Sequence, residues 1–445
     1  MKKVAFRNLG CKVNEYEMEY MSQRMAKNGF TIVPFAQKAD IYVINTCTVT
    51  NIADRKSRQM LHQAKKRNPD AIVVAVGCYV QTDTQNAYND DAVDVIIGNN
   101  HKKDIDVIIN KYLETGICDM DNVSDLSQPV EYERMTVEKT GEHTRAFMKI
   151  QDGCNQFCSY CAIPLSRGRI RSRCLEDIKE EAELLAGNGY CEVVLTGIHL
   201  SSYGIDFLNA ARETNLSYNE LAQGGGYTNK ELLDVIDEVS KIEGIKRIRL
   251  GSLEPRLITD EFLKRLSSNS KICPHFHLSL QSGCNETLKR MNRKYTTEEF
   301  KRGVDLIRKY FDTPAVTTDV IVGFPGETDE EFEQTYEFLK EIEFFEMHVF
   351  KYSRRKNTVA DKLPDQVSDE DKDIRSDRLL KLDETLTHKY IQSKLGSRAE
   401  VLFEEKKDGK FVGHTREYIK VVRESKTDLK GEIKTVILDE NNCLE

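Results

Sequence analysis

At 445 residues the chain exceeds one ordinary domain, and two or three are expected. Charged residues make up 31% and apolar residues 39%, the balance of a soluble globular protein. A net charge of −8 argues against a general nucleic-acid binder, so any such contact must come from local basic patches.

Met1-Lys-Lys-Val-Ala-Phe-Arg7 turns polar before an apolar core can form, so no secretory leader is read. The longest apolar run, 71–76, is too short to span a bilayer. Twelve cysteines in such a chain point to a reducing compartment, where thiols bind metal or stay free. The expected location is cytoplasmic, with no membrane partner.

In the amino-terminal third, strands are expected over 4–7, 41–44, 71–76 and 93–97, with helices over 14–28 and 53–68. Tyr16, Met21 and Met25 give the first helix its apolar stripe, and Gly29 is a stop signal. This alternation implies an open, mostly parallel α/β sheet. Cys11, Cys47 and Cys78 each fall a few residues past a strand, so loops at one sheet edge should bring them together. The helix between Cys47 and Cys78 carries Arg55, Lys56, Arg58, Lys65, Lys66 and Arg67. It reads as a solvated face or as a phosphate-contacting one.

Residues 121–142 are polar and aperiodic, a linker. A βα rhythm follows, with strands over 146–150, 192–195, 247–250, 276–280, 316–322 and 347–352. Helices are expected over 175–186, 229–241, 259–266, 297–310 and 328–342, the last opened by a capping box of Thr328 and Glu331. Six such units suggest a partial (β/α) barrel, whose site lies at the carboxyl ends of its strands.

The loop after the first barrel strand holds Cys154, Cys158 and Cys161 within eight residues. Three thiols cannot make two disulfides, and no fourth zinc ligand follows. Thiolates are the usual ligands of iron–sulfur clusters, and three would leave one iron of a cubane open to a non-protein ligand. Next come Arg167, Arg169, Arg171 and Arg173, every second residue. If extended, they share one side and would meet carboxylates or an anionic partner. Polar, glycine-bearing strand ends follow at Thr196-Gly197, Gly251-Ser-Leu-Glu254, Ser279-Leu-Gln281-Ser-Gly283 and Gly323-Phe-Pro-Gly-Glu327, and together they describe a pocket rim. Residues 206–228 read as an inserted loop with Gly224-Gly-Gly226 near its end.

A polar helix is expected over 366–394. Short strands follow over 401–403, 410–413, 418–422 and 435–438, with an Asp408-Gly409 hairpin turn. This is a small β-barrel-like domain of OB or related type, which suits looped RNA or a structural cap.

Taken together, these features resemble the radical S-adenosylmethionine (SAM) methylthiotransferases over essentially the whole chain. Cys154-x-x-x-Cys158-x-x-Cys161 matches the cluster motif, Cys11, Cys47 and Cys78 match the amino-terminal domain, and Gly409-x-x-x-Gly413-x-Thr415-x-x-Tyr418-x-x-Val421 is similar to a TRAM domain. Leu9-Gly-Cys-Lys-Val-Asn-Glu-Tyr-Glu17 and Leu195-Thr-Gly-Ile-His-Leu-Ser-Ser-Tyr-Gly204 are similar to the MtaB branch. Where the family often shows Tyr-Ser-x-Arg-Pro-Gly-Thr, this chain has Tyr352-Ser-Arg-Arg-Lys-Asn-Thr358.

The resemblance implies an α/β methylthiotransferase domain over 1–120, a linker over 121–139, a radical SAM core over 140–370, and a helix plus TRAM-like RNA-binding β domain over 371–445. It implies two [4Fe–4S] clusters, one on Cys154, Cys158 and Cys161 and one, carrying the sulfur, on Cys11, Cys47 and Cys78. SAM would lie against Thr196, Gly197, Glu254, Ser279, Gln281, Val322, Gly323 and Phe324. Arg169, Arg171 and Arg355 are substrate candidates. The implied reaction adds a methylthio group to C2 of N6-threonylcarbamoyladenosine beside the tRNA anticodon, with a reductant protein and a sulfur donor as partners. Competing readings are a protein-modifying methylthiotransferase and a non-catalytic cluster or RNA binder. Cys118, Cys174, Cys191, Cys273, Cys284 and Cys443 read as structural, and His199 as a weak rim candidate.

Overall fold

The structure is a computed structural model that describes all residues but 129, 140, 142–143, 224–227 and 445. The amino-terminal unit runs β1 (Lys3–Asn8), α1 (Lys12–Lys27), β2 (Thr31–Val33), β3 (Ile41–Thr46), α2 (Asn51–Arg67), β4 (Ile72–Gly77), α3 (Cys78–Thr82), α4 (Thr84–Tyr88), β5 (Val95–Ile97) and α5 (Ile105–Thr115). Its sheet has the order β2-β1-β3-β4-β5 and is parallel throughout. β3 is buried at every position and β4 at all but its first, as expected where helices cover both faces. The edge strand β2 had no signal in the sequence, because two of its three residues are exposed. α2 starts two residues earlier than expected, where the Thr50 side chain accepts from the Ala53 N–H.

The central unit runs β6 (Arg145–Lys149), β7 (Gln151–Asp152), α6 (Ile163–Arg167), β8 (Arg171–Ser172), α7 (Leu175–Gly187), β9 (Glu192–Thr196), α8 (Ile205–Arg212), α9 (Tyr218–Gln223), α10 (Lys230–Lys241), β10 (Arg247–Leu250), α11 (Asp260–Ser267), β11 (His275–Gln281), α12 (Asn285–Arg290), α13 (Thr297–Tyr310), β12 (Ala315–Val322), α14 (Asp329–Ile342) and β13 (Glu346–Lys351). Six parallel strands follow one another as β6-β9-β10 and β11-β12-β13. The two halves meet through single bridges at Ile248–Ile272 and Leu253–Leu278, so the partial barrel is one curved wall. Its largest core lies between strands and helices, with Met148, Val193, Leu195, Ile248, Leu278 and Val320 fully buried.

Two expectations for this unit are corrected. Residues 206–228 are not a plain loop: they form α8, which packs on β8, and α9, whose Asn219 touches the cysteine loop, while Gly224-Gly-Gly226 lies outside the described residues. The arginine run is not one strand. Gly168 (φ +69°) turns the chain so tightly that a Cβ there would lie 2.7 Å from the Leu126 carbonyl. Arg167 therefore ends α6, Arg171 lies in β8, and only Arg169 is exposed.

α15 (Asp369–Lys394) starts after Ser368, whose side chain accepts from the Asp371 N–H, three residues later than expected. β14 (Arg398–Lys407), β15 (Lys410–Thr415), β16 (Lys420–Arg423), β17 (Ile433–Ile437) and β18 (Cys443–Leu444) form an antiparallel sheet of order β17-β14-β15-β16-β18. This sheet docks on the amino ends of the barrel strands. The Tyr418 ring lies 4.9 Å from the guanidinium carbons of both Arg145 and Arg249 and stacks with His275 and His414.

Candidate active site

The first three-thiol site is built at the carboxyl edge of the amino-terminal sheet. Cys11 is the N-cap of α1, Cys47 follows β3, and Cys78 opens α3. Gly10 (φ +115°) lets two of these loops close: a Cβ there would lie 3.1 Å from the Cys47 sulfur. The Asn14 amide donates to the Leu9 and Thr46 carbonyls, and Ser57 Oγ accepts from the Cys47 N–H at 3.1 Å. Asn99 Nδ2 donates to the Cys78 sulfur at 3.4 Å. Cys47 and Cys78 are buried and Cys11 is exposed. Burial, with the Cys78 thiol beside it, pushes the Cys47 thiol up to about 12. Three thiols converging on one sheet edge suit a metal that displaces their protons, and the set fits an iron–sulfur cluster.

The second site is the loop after β7. Gly153 (φ +70°) admits no side chain, because a Cβ would sit 1.8 Å from the Arg169 carbonyl. The Cys154 N–H donates to the Gly168 carbonyl at 3.0 Å, and the Cys161 N–H donates to that of Cys158 at 3.0 Å. Arg293 Nη1 donates to the Cys158 sulfur at 3.1 Å, and its Nη2 to Glu254 at 2.6 Å. Burial and the neighbouring Cys158 thiol push Cys161 up to about 12 and Cys154 also upward. Three thiols with a cationic donor beside one of them fit a cluster with one open iron.

The expected SAM residues line the same rim. Thr196, Glu254, Gln281, Val322 and Phe324 are buried, and Gly197 and Ser279 half-buried. Gln281 takes φ +70° at a register shift in β11. Gly323 (φ +69°) lies under Lys372, where a Cβ would be 2.2 Å from Cγ. Phe324 packs edge-on to Tyr160 and Tyr352 in an apolar patch with Met291. Burial works to raise the Glu254 carboxyl, but Arg293 and His199 hold it below its ordinary value. His199 lies 3.4 Å from Glu254. From the insertion, Asn219 Nδ2 donates to Gln156 Oε1 in the cysteine loop at 2.7 Å.

The arginines part company. Arg167 reaches Glu17 at 2.8 Å and Asp152 at 3.1 Å, Arg171 lies 3.3 Å from Asp152, and Arg173 pairs with Glu181. The guanidinium of Arg171 is thus held by protein. Arg169 is exposed, with its guanidinium carbon 4.8 Å from the Phe157 ring centre. Arg355 donates to Thr48 and, at 2.8 Å, to Asn51, beside the first site. Its segment is a strap. Ser353 Oγ accepts from the Asn51 N–H at 3.0 Å, and the Ala360 N–H donates to the Ser159 carbonyl at 2.8 Å, which fastens both cysteine loops to one stretch of chain. α3 and α6 also pack together and carry the two sites on adjoining elements.

Sequence reasoning missed Arg293, Asn99 and Asn219. Each acts on a cysteine loop from far along the chain, at least 21 residues away, and no local pattern marks it.

The radical SAM superfamily pattern matches residues 148–339, and that of the uncharacterized protein family UPF0004 matches residues 3–98. The chain is 41% identical over 441 residues to the threonylcarbamoyladenosine tRNA methylthiotransferase MtaB of Bacillus subtilis (strain 168), covering 98% of this chain and 93% of that protein. The MtaB of Aquifex aeolicus (strain VF5) is 39% identical, with 98% and 100% covered. A tRNA-2-methylthio-N(6)-dimethylallyladenosine synthase of Thermodesulfovibrio yellowstonii is 36% identical, with 97% and 95% covered. Among solved structures, the radical SAM methyltransferase TsrM from Kitasatospora setae shares the fold at a TM-score of 0.53 and 15% identity, over 81% of this chain and 77% of that one. Family membership implies SAM and a [4Fe–4S] cluster. No helix among the described residues is long and apolar enough to cross a membrane. The chain belongs to the radical SAM methylthiotransferases, in the branch whose members are named MtaB.

Proposed function

We propose that this enzyme adds a methylthio group to C2 of N6-threonylcarbamoyladenosine at position 37 of tRNA, using SAM and two [4Fe–4S] clusters. The carrying observation is the pair of three-thiol sites, on Cys11, Cys47 and Cys78 and on Cys154, Cys158 and Cys161, tied by one strap. The MtaB relatives, alike over nearly the full chain, support the substrate. Bound there, SAM and the clusters supply a reductively generated radical and a transferable sulfur.

The protein's own residues position and protect. Arg293 orients the Cys158 ligand and keeps Glu254 ionised, so that Glu254 accepts a hydrogen bond from a hydroxyl or amine of SAM. Phe324 and Val322 form the wall for adenine, and Thr196, Gly197, Ser279, Gln281 and Gly323 the polar and close-approach contacts. The strap and α9 hold the cysteine loops in place. Exposed Arg169 stacked on Phe157 suits an unpaired base or phosphate of an RNA loop. The domain limits are 1–120, 121–139, 140–370 and 371–445, with the carboxyl-terminal sheet contacting tRNA. A reductant protein and a sulfur donor complete the set, in the cytoplasm where tRNA is.

Nucleoside mass spectrometry of tRNA from a deletion strain tests the substrate. The methylthio form of threonylcarbamoyladenosine should vanish and return on complementation. Loss of the methylthio-dimethylallyl nucleoside instead would reassign the enzyme. Iron and sulfide analysis should give about eight irons per chain; about four would remove the second cluster.

A further inference from the structure

Between the two sites lies a closed group of charges. Glu17 of α1 is met by Lys102, by Lys149 at 2.7 Å and by Arg167 at 2.8 Å. Asp152 is met by Lys149 at 2.6 Å, Arg167 at 3.1 Å and Arg171 at 3.3 Å. All six side chains are at most 5% exposed. Four cations thus face two anions in contact with them, an excess that nearby Glu133, its carboxyl lifted by burial to about 7, offsets only in part. Buried charge without a counter-charge is costly.

The excess abuts the first thiol site. The Lys102 ammonium lies 3.5 Å from where a Cβ on Gly77, the neighbour of Cys78, would sit. Arg167 acts electrostatically on Cys11, Cys47 and Cys78. The Asn99 amide that donates to the Cys78 sulfur also donates to the Ser166 carbonyl, next to Arg167. A cluster on three thiolates is an anion, and net charge around a cluster sets its reduction potential.

We infer that Lys102, Lys149, Arg167 and Arg171, held by Glu17 and Asp152, form a cationic socket that balances the cluster on Cys11, Cys47 and Cys78 and raises its reduction potential. These are positioning residues, since each is buried and paired with Glu17 or Asp152. The inference rests on the two-cluster reading above.

The test is an EPR-monitored redox titration of full-length, reconstituted protein in which Cys154, Cys158 and Cys161 are Ala, so that only the first site reports. Removing one cation, by Lys102→Met or Arg171→Gln, should lower the midpoint. Removing an anion, by Glu17→Gln, should raise it. A general loss of structure does not produce opposite shifts. Should Lys102→Met fail to hold iron, Lys102→Arg must restore it, because the charge is what the socket supplies. A cluster loaded normally, whose midpoint ignores these substitutions or moves the same way in all three, overturns the socket alone. So does iron loss that Lys102→Arg does not repair. No cluster signal in the parent triple variant removes the two-cluster reading and the socket with it.

Discussion

A methyl group at position 153 has no room, since it would enter the Arg169 carbonyl at 1.8 Å, and φ +70° already disfavours it. Gly153→Ala is expected to lose the iron of the Cys154 loop while far-UV circular dichroism stays native; iron per chain is the measurement. Glu133 in the linker offers a different single-residue effect. Its carboxylate accepts from the Lys103 N–H at 2.8 Å, and burial lifts its carboxyl to about 7. A carboxyl raised in the folded state holds its proton there. Stability is therefore full below the unfolded value, near 4.3, and falls as pH rises to about 7, then stays level. Glu133→Gln should remove that slope: its stability should match wild type at pH 4 and exceed it at pH 8 by about 3–4 kcal/mol, read from melting temperatures. Equal curves at both pH values would contradict this.

Elements differ in how openly the sequence declares them. Most strands of the parallel sheets were readable, above all buried runs such as Ile-Val-Val-Ala-Val-Gly, while the exposed edge strand β2 was not, and Thr328 with Glu331 closes the capping box expected of it. α13 has a second box, Thr296 with Glu299, that the sequence reading passed over in favour of the helix alone. Thr296→Ala should cost about 1 kcal/mol in urea unfolding, with Thr296→Ser near wild type. The grouping of Cys11, Cys47 and Cys78, and of Cys154, Cys158 and Cys161, was legible from spacing and from their place after strands. The arginine stretch was not, because a period of two describes a strand only if nothing turns the chain. Gly168 turns it, and the carboxylates that claim Arg167 and Arg173 sit at Glu17 and Glu181, on helices that spacing alone cannot bring near. The insertion was misread for a related reason. Its helices are short and depend on outside partners, such as Ile170 packed against Ile205 and Tyr218.

At the scale of the molecule, the units are joined by specific polar contacts. The Tyr16 hydroxyl of α1 lies 2.8 Å from Glu181 of α7 and 2.7 Å from the Met135 carbonyl of the linker. Arg247 donates to the Glu400 carbonyl at 2.7 Å, and Arg416 to that of Ile272 at 2.7 Å, so barrel and carboxyl-terminal sheet bind each other's backbone. With Tyr418 packed on the amino end of the barrel, the loop of Cys154, Cys158 and Cys161 lies at the opposite end.

The strap from Ser353 to Ala360 acts as a ruler. Its two ends are pinned to different cysteine loops, so the number of residues between the pins is expected to help set the separation of the two sites, beside the packing of α3 on α6. Inserting one glycine after Asn357 should leave each loop able to take up iron and SAM cleavage measurable, yet stop methylthio product from forming. Product at the wild-type rate would mean that the gap is gauged elsewhere. Loss of product with both loops loaded would make spacing along a single stretch of backbone the quantity that couples two otherwise self-sufficient halves of a reaction.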